Sequence, residues 1–429
     1  MSGPSGALGA RLASRAACVG VLGQGYVGLP LAKRFLAAGF GVLGVEPEGS
    51  RRAVIEAAGL AGSYRVSADA AGLGTCDVAV VCVPTPLGPD RKPDLGAVCA
   101  AGRAVGQFLP DGGLVVLEST TYPGTTRGVF LAAIAEGRKL AGRAAPDDLA
   151  LAYSPEREDP GRPEAELVAT PKLVGGADAA SEELAAELYA AAFERVHRTG
   201  SCEVAEAAKL FENVFRAVNI ALVNEAKCVL EAMDIDVLSV MEAAATKPFG
   251  FMPFAPGPGL GGHCIPIDPF YFAWAAEQAG VPARFVELAG EVNRAMPGYV
   301  VTRLEAALET RGTALRGARV LVLGLAYKRD VGDLREAPAL DLIDKLLLAG
   351  ADVEAADPHV ERATTPGGAE IAAVALDATR LARADAVLIV TDHTAFDYRA
   401  IADHARLVVD TRGIMRAFAA ELGERLVRA

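Results

Sequence analysis

One cysteine of the chain lies in a segment whose composition prevents regular secondary structure. Glycine and proline are concentrated in residues 256–269 around Cys264, and both residue types interrupt helices and strands. A cysteine that only fills a core lies in an apolar strand or helix instead. We therefore predict a loop that presents the Cys264 thiol as a nucleophile, with Asp268 four residues later as an acid or base.

Glycines near the N-terminus form a dinucleotide-binding pattern. Gly23, Gly25 and Gly28 follow an apolar run at 17–22 and precede a helical pattern, so a tight turn would bring a pyrophosphate to a helix N-terminus. Glu46 ends the next apolar run, where a carboxylate accepts ribose hydroxyls and repels a 2′-phosphate, which favours NAD over NADP. The alternative is a Rossmann fold that has lost its ligand. A thiol and a dinucleotide together predict that the cysteine captures an aldehyde and that NAD accepts the hydride.

Other polar residues have spacings that suit chemistry but also suit a solvated surface. Lys209 and Asn213 share one face of a predicted helix, where an ammonium and an amide would stabilise a thiolate or an oxyanion. Glu156 follows an apolar strand and is a candidate base for water, or a surface loop charge. Lys328 and Arg335 follow a C-terminal strand, where they would hold phosphates or join a surface network of ion pairs.

Apolar runs alternate with helical patterns at both ends of the chain. Such runs are typical of parallel sheets buried on both faces, so the fold class is α/β, with two Rossmann-like doubly wound parallel-sheet domains. Residues 201–234 contain almost no glycine or proline and predict a long helix that joins the domains and forms a homodimer interface. The predicted strands are 17–22, 41–45, 77–83, 113–117, 318–323, 351–356, 385–390 and 406–409. The predicted segments are a flexible N-terminal extension (1–16), an NAD-binding Rossmann domain (17–200), a central helical domain with the cysteine loop (201–300) and a second Rossmann-like domain (301–429).

Composition excludes several classes of function. The chain has 429 residues and a net charge of −12, and this acidic balance disfavours nucleic acid as a partner. No apolar run reaches the roughly 20 residues of a membrane helix, so no membrane partner is expected, and the first residues lack the apolar region of a secretory signal. The seven cysteines include no CxxC pair. We therefore predict no metal site and a cytoplasmic location with reduced thiols.

Seven motifs in order give the chain a family resemblance. They are GxGYVG at 23–28, VPTP at 83–86, EST at 118–120, PGTT at 123–126, SPER at 154–157, GGHC at 261–264 and DLRE at 333–336. With these motifs the chain resembles the nucleotide-sugar 6-dehydrogenases of the UDP-glucose/GDP-mannose dehydrogenase family, over residues 17–416. The resemblance implies two successive NAD-dependent oxidations of a UDP-sugar, from the C6 alcohol to the aldehyde and then to the carboxylate. It also implies that the domain at 301–429 binds the nucleotide sugar.

The resemblance assigns roles to individual residues. Cys264 would hold the aldehyde as a thiohemiacetal, which the second hydride transfer converts to a thioester. Around it, Lys209 and Asn213 would stabilise the oxyanion, Asp268 would handle protons with the lysine, Glu156 would support thioester hydrolysis, and Thr120 would orient water beside the nicotinamide. The implied cofactor-binding residues are Gly23, Gly25, Tyr26, Val27, Gly28, Glu46, Pro84, Thr85, Thr120 and Arg335. The implied substrate-binding residues are Glu156, Arg157, Lys209, Asn213, Phe254, Gly261 and Lys328.

The segment around the cysteine also bears on the substrate. Residues 251–271 resemble the branch that acts on UDP-N-acetylhexosamines, UDP-N-acetylglucosamine in particular, because His263 stands where the UDP-glucose branch usually has a small or aromatic residue. UDP-N-acetylmannosamine, UDP-glucose and other nucleotide sugars remain alternatives. So do a single-step alcohol dehydrogenase, which would need no thiol, and a catalytically inactive nucleotide-sugar sensor. Three departures from the family pattern are Glu46 for aspartate, Ala337 for serine and Gly413 for asparagine.

Overall fold

The computed structural model describes residues 4–60, 62–88, 90–157 and 169–429. The chain forms two compact units, and each unit is assembled from two stretches of sequence. The first unit comprises Met1–Glu212 and Phe270–Pro282, and the second comprises Asn213–Pro269 and Ala283–Ala429. The segment 201–300, which we expected to form a domain of its own, is thus divided between the two units.

The first unit is built on an eight-stranded sheet. Its strands are β1 (Cys18–Leu22), β2 (Gly41–Val45), β3 (Tyr64–Ser67), β4 (Val78–Val81), β5 (Leu114–Leu117), β6 (Ala150–Tyr153), β7 (Lys172–Gly176) and β8 (Val196–Arg198). They lie in the order β3-β2-β1-β4-β5-β6-β7-β8, and every neighbouring pair is parallel except β6 and β7. The valine and leucine runs of β4 and β5 are buried along their whole length, as expected for strands covered on both faces.

Six helices in the described ranges lie entirely within the first unit. They are α1 (Pro4–Ala13), α2 (Gly28–Ala37), α3 (Gly49–Ala57), α4 (Gly96–Phe108), α5 (Leu131–Leu140) and α6 (Ala179–Ala190). The flexible extension expected at 1–16 is therefore wrong for α1. Leu8 and Leu12 lie one helical turn apart and join the buried core that contains Leu184 and Leu188 of α6, so the first helix gains its stability from tertiary packing.

The second unit contains a smaller parallel sheet and a hairpin. The sheet consists of β9 (Arg319–Leu323), β10 (Asp352–Ala356), β13 (Ala386–Ile389), β14 (Val408–Asp410) and β15 (Leu426–Arg428). The hairpin consists of β11 (Arg362–Thr364) and β12 (Glu370–Ala372). The five-stranded sheet has the order β10-β9-β13-β14-β15, and β11 pairs only with β12. The remaining helices are α7 (Cys202–Ala232), α8 (Val237–Ala245), α9 (Asp268–Gln278), α10 (Arg284–Glu309), α11 (Pro338–Leu348), α12 (Ala378–Arg383), α13 (Tyr398–His404) and α14 (Ala419–Leu422). Helices α7 and α9 contribute residues to both units.

Each sheet reverses its strand order beside its first strand. Strand β1 lies between β2 and β4, and β9 lies between β10 and β13. In parallel α/β sheets such a reversal opens a crevice at the carboxyl ends of the strands, where ligands bind. The predicted site residues should therefore lie just after these strands. Among the described residues, no helix combines the length and the apolarity that a membrane crossing requires.

Candidate functional site

The turn after β1 is a backbone cradle that side chains would fill. Gly23 has a φ of +86°, and a Cβ there would lie 2.4 Å from the carbonyl oxygen of Cys82. A Cβ at Gly28 would lie 1.8 Å from the carbonyl oxygen of Gly23, and α2 begins at Gly28. Only glycine permits this close path. The turn therefore leads directly into a helix N-terminus, a geometry that fits the pyrophosphate of a dinucleotide.

Glu46 braces this turn from the end of β2. Its carboxylate is buried and accepts hydrogen bonds from the backbone N–H groups of Gln24 and Glu48, both at 3.0 Å. An ionised carboxylate has about four acceptor positions, so two bonds to the backbone leave capacity for ribose hydroxyls. Glu46 thus stabilises the glycine turn and is placed to read the ribose as well.

The loops after β4 and β5 leave the sheet together. The hydroxyl of Ser119 donates to the carbonyl of Val83 at 2.8 Å and accepts from the N–H of Val83 at 2.9 Å. Pro84 and Thr85 follow on one side of this link and Thr120 on the other. The structure therefore brings together two sequence motifs that contain three of the predicted cofactor-binding residues.

Glu206 organises the next loop, although the sequence analysis did not single it out. The carboxylate on α7 accepts from the N–H of Gly124 at 2.6 Å, the N–H of Thr126 at 2.8 Å and the hydroxyl of Thr126 at 2.6 Å. Burial raises the pKa of Glu206 to about 7, against hydrogen bonds that lower it. A carboxylate three residues before Lys209 on a buried helix face was the available sequence signal.

Glu156 lies beside a buried network of charged groups. The amine of Lys172 is 3.8 Å from a carboxylate oxygen of Glu156, and it donates to Glu118 at 2.7 Å and to the carbonyl of Pro155 at 3.0 Å. The hydroxyl of Tyr189 donates to the other oxygen of Glu118. Lys172 was not predicted from sequence, and Glu118, the first residue of the motif at 118–120, was given no role, because only the fold brings the loop after β5 to the start of β7.

Arg157 is held by neighbours within the first unit. Its guanidinium donates to both carboxylate oxygens of Glu212, at 2.6 and 3.2 Å, and to the carbonyl of Pro171 at 2.8 Å. A two-pronged bond of this kind fixes the plane of the guanidinium. The predicted role of Arg157 in substrate binding therefore stays a prediction.

The cysteine loop is fixed on both sides of Cys264. Gly262 has a φ of +90°, and its N–H donates to the carbonyl of Arg335 at 2.9 Å. The carbonyl of Cys264 accepts from the N–H of Asp268 at 2.8 Å, where α9 begins. The thiol is half-buried. The predicted irregular loop at 256–269 is confirmed over 256–267 but is wrong for residues 268 and 269, which begin α9, because a proline is tolerated in the first turn of a helix. The loop holds Cys264 between two backbone anchors.

Asn213 and Asp268 meet within the second unit. The side-chain amide of Asn213 donates to a carboxylate oxygen of Asp268 at 2.6 Å, and both side chains are buried. Lys209, one helical turn before Asn213 on α7, is also buried but belongs to the first unit. Two of the predicted catalytic residues are thus in direct contact.

Aromatic and amide side chains support the loop before the cysteine. Asn224 on α7 accepts from the N–H of Gly257 and donates to Asn293, both at 2.9 Å. The ring of Phe254 lies 5.9 Å from that of Phe215 on α7, in an edge arrangement. A Cβ at Gly261 would lie 2.5 Å from Cβ of Tyr327, so glycine is required where the two loops pass each other.

The loop after β9 is held by Asp357 at the end of β10. Asp357 accepts from the N–H groups of Leu325 at 2.7 Å and Ala326 at 3.1 Å, and from Nε2 of His393 at 3.0 Å. Although burial opposes ionisation, these bonds hold the pKa of Asp357 below its ordinary value. Nδ1 of His393 accepts from the N–H of Asp330. Both ring nitrogens of His393 are therefore in use, which supports a structural role for this residue.

Lys328 and Arg335 lie on this same loop. The N–H of Tyr327 donates to the carbonyl of Asp333 at 3.0 Å, which closes the loop between them. The guanidinium of Arg335 pairs with Asp333 at 2.6 Å, and despite burial this arginine keeps the pKa of Asp333 below its ordinary value. The two basic residues are thus presented at the carboxyl edge of the second sheet, where phosphates would bind.

Comparison with known proteins identifies the family. Models of the UDP-glucose/GDP-mannose dehydrogenase family match the chain in three places: the NAD binding domain at 46–193, the central domain at 203–295 and the UDP binding domain at 321–417. A UDP-N-acetyl-D-glucosamine 6-dehydrogenase of Pseudomonas aeruginosa is 35% identical over 354 residues, 80% of this chain and 83% of the relative. The chain belongs to the UDP-glucose/GDP-mannose dehydrogenase family.

Other members of the UDP-glucose/GDP-mannose dehydrogenase family match over a longer stretch. A UDP-N-acetyl-D-mannosamine dehydrogenase of Pyrococcus horikoshii is 34% identical over 423 residues, 93% of this chain and 96% of the relative. A solved structure of the UDP-D-ManNAc dehydrogenase from Pyrococcus horikoshii superposes with a TM-score of 0.82 at 30% identity, covering 92% of this chain and 96% of that one. The predictions of the family, of NAD as cofactor, of an NAD-dependent nucleotide-sugar dehydrogenase and of two Rossmann-like domains are confirmed.

Proposed function

We propose that this chain oxidises UDP-N-acetylglucosamine at C6 to the uronate and reduces two molecules of NAD for each sugar. The relative from Pseudomonas aeruginosa supports this substrate, and the segment at 251–271 resembles the same branch. The relative from Pyrococcus horikoshii acts on UDP-N-acetyl-D-mannosamine, so that sugar is the second candidate. The observation that carries the two-step chemistry is Cys264, anchored through Gly262 and Asp268 beside the Asn213–Asp268 hydrogen bond.

In the proposed reaction, a covalent bond to Cys264 forms before the second oxidation and is broken by hydrolysis after it. NAD, when bound at the glycine turn, supplies the acceptor for each hydride. The sulfur of Cys264 adds to the aldehyde carbon, and the aldehyde oxygen takes a proton, which gives a thiohemiacetal. Loss of the hydride and of that proton leaves a thioester on the cysteine. Covalent capture prevents the aldehyde from escaping between the two oxidations.

The other predicted catalytic residues would then act on oxygen atoms and protons. The amide of Asn213 and the ammonium of Lys209 would stabilise the negative oxygen that develops on the captured carbon. Asp268, held by Asn213, would take and return protons. Glu156 would accept a proton from the water that attacks the thioester, and Thr120 would orient that water. Lys328 and Arg335 would contact phosphates.

Cys264 variants test this assignment. Cys264→Ala removes the nucleophile, so we expect no uronate, whereas binding of UDP-N-acetylglucosamine to the variant should remain. Isothermal titration measures binding, and mass spectrometry of the nucleotide sugar measures the product. Uronate formation at an unchanged rate would overturn the thioester route and leave a dehydrogenase without covalent capture. Binding without turnover in the wild-type protein would favour a nucleotide-sugar sensor.

We also propose a homodimer through the central helix. Phe215, Leu222 and Val229 on α7 repeat every seven residues and are 43%, 62% and 49% exposed, a spacing that forms one apolar seam on a helix. A second copy of the same helix would cover this seam. Light scattering should give twice the mass of one chain for the wild type and one chain for Leu222→Asp. A monomeric wild type at micromolar concentration would contradict the proposal.

A further inference from the structure

We propose that Lys172 is a positioning residue that orients Glu156 for hydrolysis of the thioester, with Glu118 fixing the lysine from below. The inference rests on the function proposed above, because it assumes that Glu156 activates the water. It adds two residues to the reaction that none of the seven sequence motifs assigns to it.

The contacts of Lys172 determine both the backbone and the charge next to Glu156. Its amine donates to the carbonyl of Pro155 at 3.0 Å, so it fixes the peptide bond that leads into Glu156. The same amine lies 3.8 Å from the Glu156 carboxylate. Among the described residues, the same amine also donates to Glu118 at 2.7 Å. One ammonium therefore sets both the position of the candidate base and the charge it faces.

The burial of this pair needs a reason other than stability. The side chains of Lys172 and Glu118 are 3% and 0% exposed, and the cost of burying such charges often exceeds what their attraction returns. Well-packed apolar residues would serve the core at least as well. The side chain of Tyr189 is also buried, and its hydroxyl donates a hydrogen bond to Glu118. The network is thus arranged to present one ammonium to one carboxylate at the surface of the core.

The charges of Lys172 and Glu118 compensate each other in this buried network. Burial raises the pKa of Glu118; burial also disfavours the charged form of Lys172, but Glu118 and Glu156 together keep the lysine pKa above its ordinary value. Cys82 faces the same group, and burial raises its pKa, so it adds no charge. The ammonium of Lys172 therefore faces two carboxylates, Glu118 at 2.7 Å and Glu156 at 3.8 Å.

The hydrolysis step balances on these residues. Water forms a bond to the thioester carbon, and its proton passes to Glu156. The bond between carbon and sulfur then breaks, the sulfur of Cys264 leaves as a thiolate, and the product is the uronic acid. The acid and Glu156 return their protons to the thiolate and to solvent. Lys172 exchanges no proton in this sequence; it keeps Glu156 ionised and aimed.

Acid quenching followed by intact-protein mass spectrometry tests the inference. During turnover, Glu156→Gln and Lys172→Met should accumulate the sugar adduct on Cys264, with kcat lowered about a hundredfold, a typical loss for a misplaced general base. Lys172→Arg keeps the charge and should retain more of the wild-type kcat than Lys172→Met. The ratio kcat/KM for the sugar should stay within about threefold in both variants, because slowing a hydrolysis that follows covalent capture lowers kcat and KM together.

The pH profile of kcat distinguishes a positioning role from a structural one. If Lys172 were only structural, the two substitutions below would not move the acidic limb in opposite directions. Lys172→Met removes the cation that faces Glu156, so the acidic limb should move to higher pH. Glu118→Gln frees the lysine charge for Glu156, so the acidic limb should move to lower pH. Glu118→Gln is nearly isosteric, and it carries the test alone if thermal melting shows that Lys172→Met does not fold.

The outcomes separate the inference from the function on which it rests. If Glu156→Gln accumulates no adduct, Glu156 is not the base and the inference is overturned, whereas the proposed function is decided separately by the loss or retention of uronate formation in Cys264→Ala. If Glu156→Gln accumulates the adduct, but Lys172→Met does not and neither acidic limb moves, Lys172 is structural and only the inference is overturned. Adduct in both variants together with opposite shifts of the two limbs establishes the positioning role.

Discussion

The turns after β1 and after β9 have the same backbone geometry, but they lead into different segments. In the first sheet the N–H of Gly23 donates to Val45, the residue before Glu46; in the second, the N–H of Gly324 donates to Ala356, the residue before Asp357. The two glycines have φ values of +86° and +88°.

Neither turn has space for a side chain on the face toward the adjacent strand. A Cβ on Gly23 or on Gly324 would lie 2.4 Å from the carbonyl oxygen of Cys82 or of Thr391. In both sheets the carboxylate at the end of the second strand accepts N–H groups of the turn. The chain therefore uses one solution twice to shape backbone at a carboxyl edge.

The two turns differ in the segment into which each one leads. After Gly23 the chain enters α2 within a few residues, so backbone N–H groups and a helix N-terminus face the ligand. After Gly324 it runs through the loop with Lys328 and Arg335 before α11 begins at Pro338. The first unit thus offers backbone N–H groups to a dinucleotide, whereas the second presents the side chains of Lys328 and Arg335, which we predict to contact phosphates.

Substituting the two equivalent glycines should separate the two ligands. Gly23→Ala places a side chain against Cys82 at positive φ, so we expect NADH binding to weaken by about tenfold to a hundredfold while UDP binding is retained. Gly324→Ala should do the reverse. Isothermal titration with NADH and with UDP measures both constants.

The matched controls are Gly59→Ala and Gly368→Ala, which lie at positive φ but have nothing within 4 Å of the added Cβ. They should leave both affinities within about threefold, because only the intrinsic strain of the conformation applies. Loss of both ligands in either Gly23→Ala or Gly324→Ala would show that the turns are not independent.

Asp357→Asn should destabilise the second unit by about 1.5–3 kcal/mol at pH 7, because it weakens charge-assisted hydrogen bonds to buried backbone. The lowered pKa of Asp357 means that its contribution is present above the unfolded value of about 3.9 and is lost as pH falls through the folded value. Denaturant unfolding at pH 7 and at pH 3 measures the difference between variant and wild type. A difference that grows on acidification would contradict the assignment.

Glu206→Gln should show the opposite pH dependence of stability. Its largest effect on the free energy of unfolding should be smaller than that of Asp357→Asn. Glu206 also serves backbone N–H groups, but burial raises its pKa to about 7. A raised carboxyl pKa favours the protonated form in the folded protein. Wild-type stability should therefore fall relative to the variant as the pH rises from about 4.5 to about 7. Melting temperatures across this range provide the test, and parallel curves for the two proteins would refute it.

Sequence patterns predicted the parts of this molecule that local chemistry determines. The glycine turn, the cysteine loop and the alternation of buried strands with helices each depend on residues that are neighbours in sequence. The helix α1 was missed because its stability comes from packing of Leu8 and Leu12 against a distant helix. Lys172 was missed for the same reason, since it has no local signal and only the sheet order brings it to Glu118. Glu118 opens the motif at 118–120, but its pairing with Lys172 depends on the fold.

The NADH yield per molecule of sugar tests the central claim most directly. With limiting UDP-N-acetylglucosamine and excess NAD, the absorbance of NADH at completion should equal twice the sugar added, with the uronate as product, and Cys264→Ala should yield no uronate. A yield of one NADH per sugar with the free aldehyde as product would contradict the thioester account. The full yield with UDP-N-acetylmannosamine alone would keep the mechanism and replace the proposed substrate.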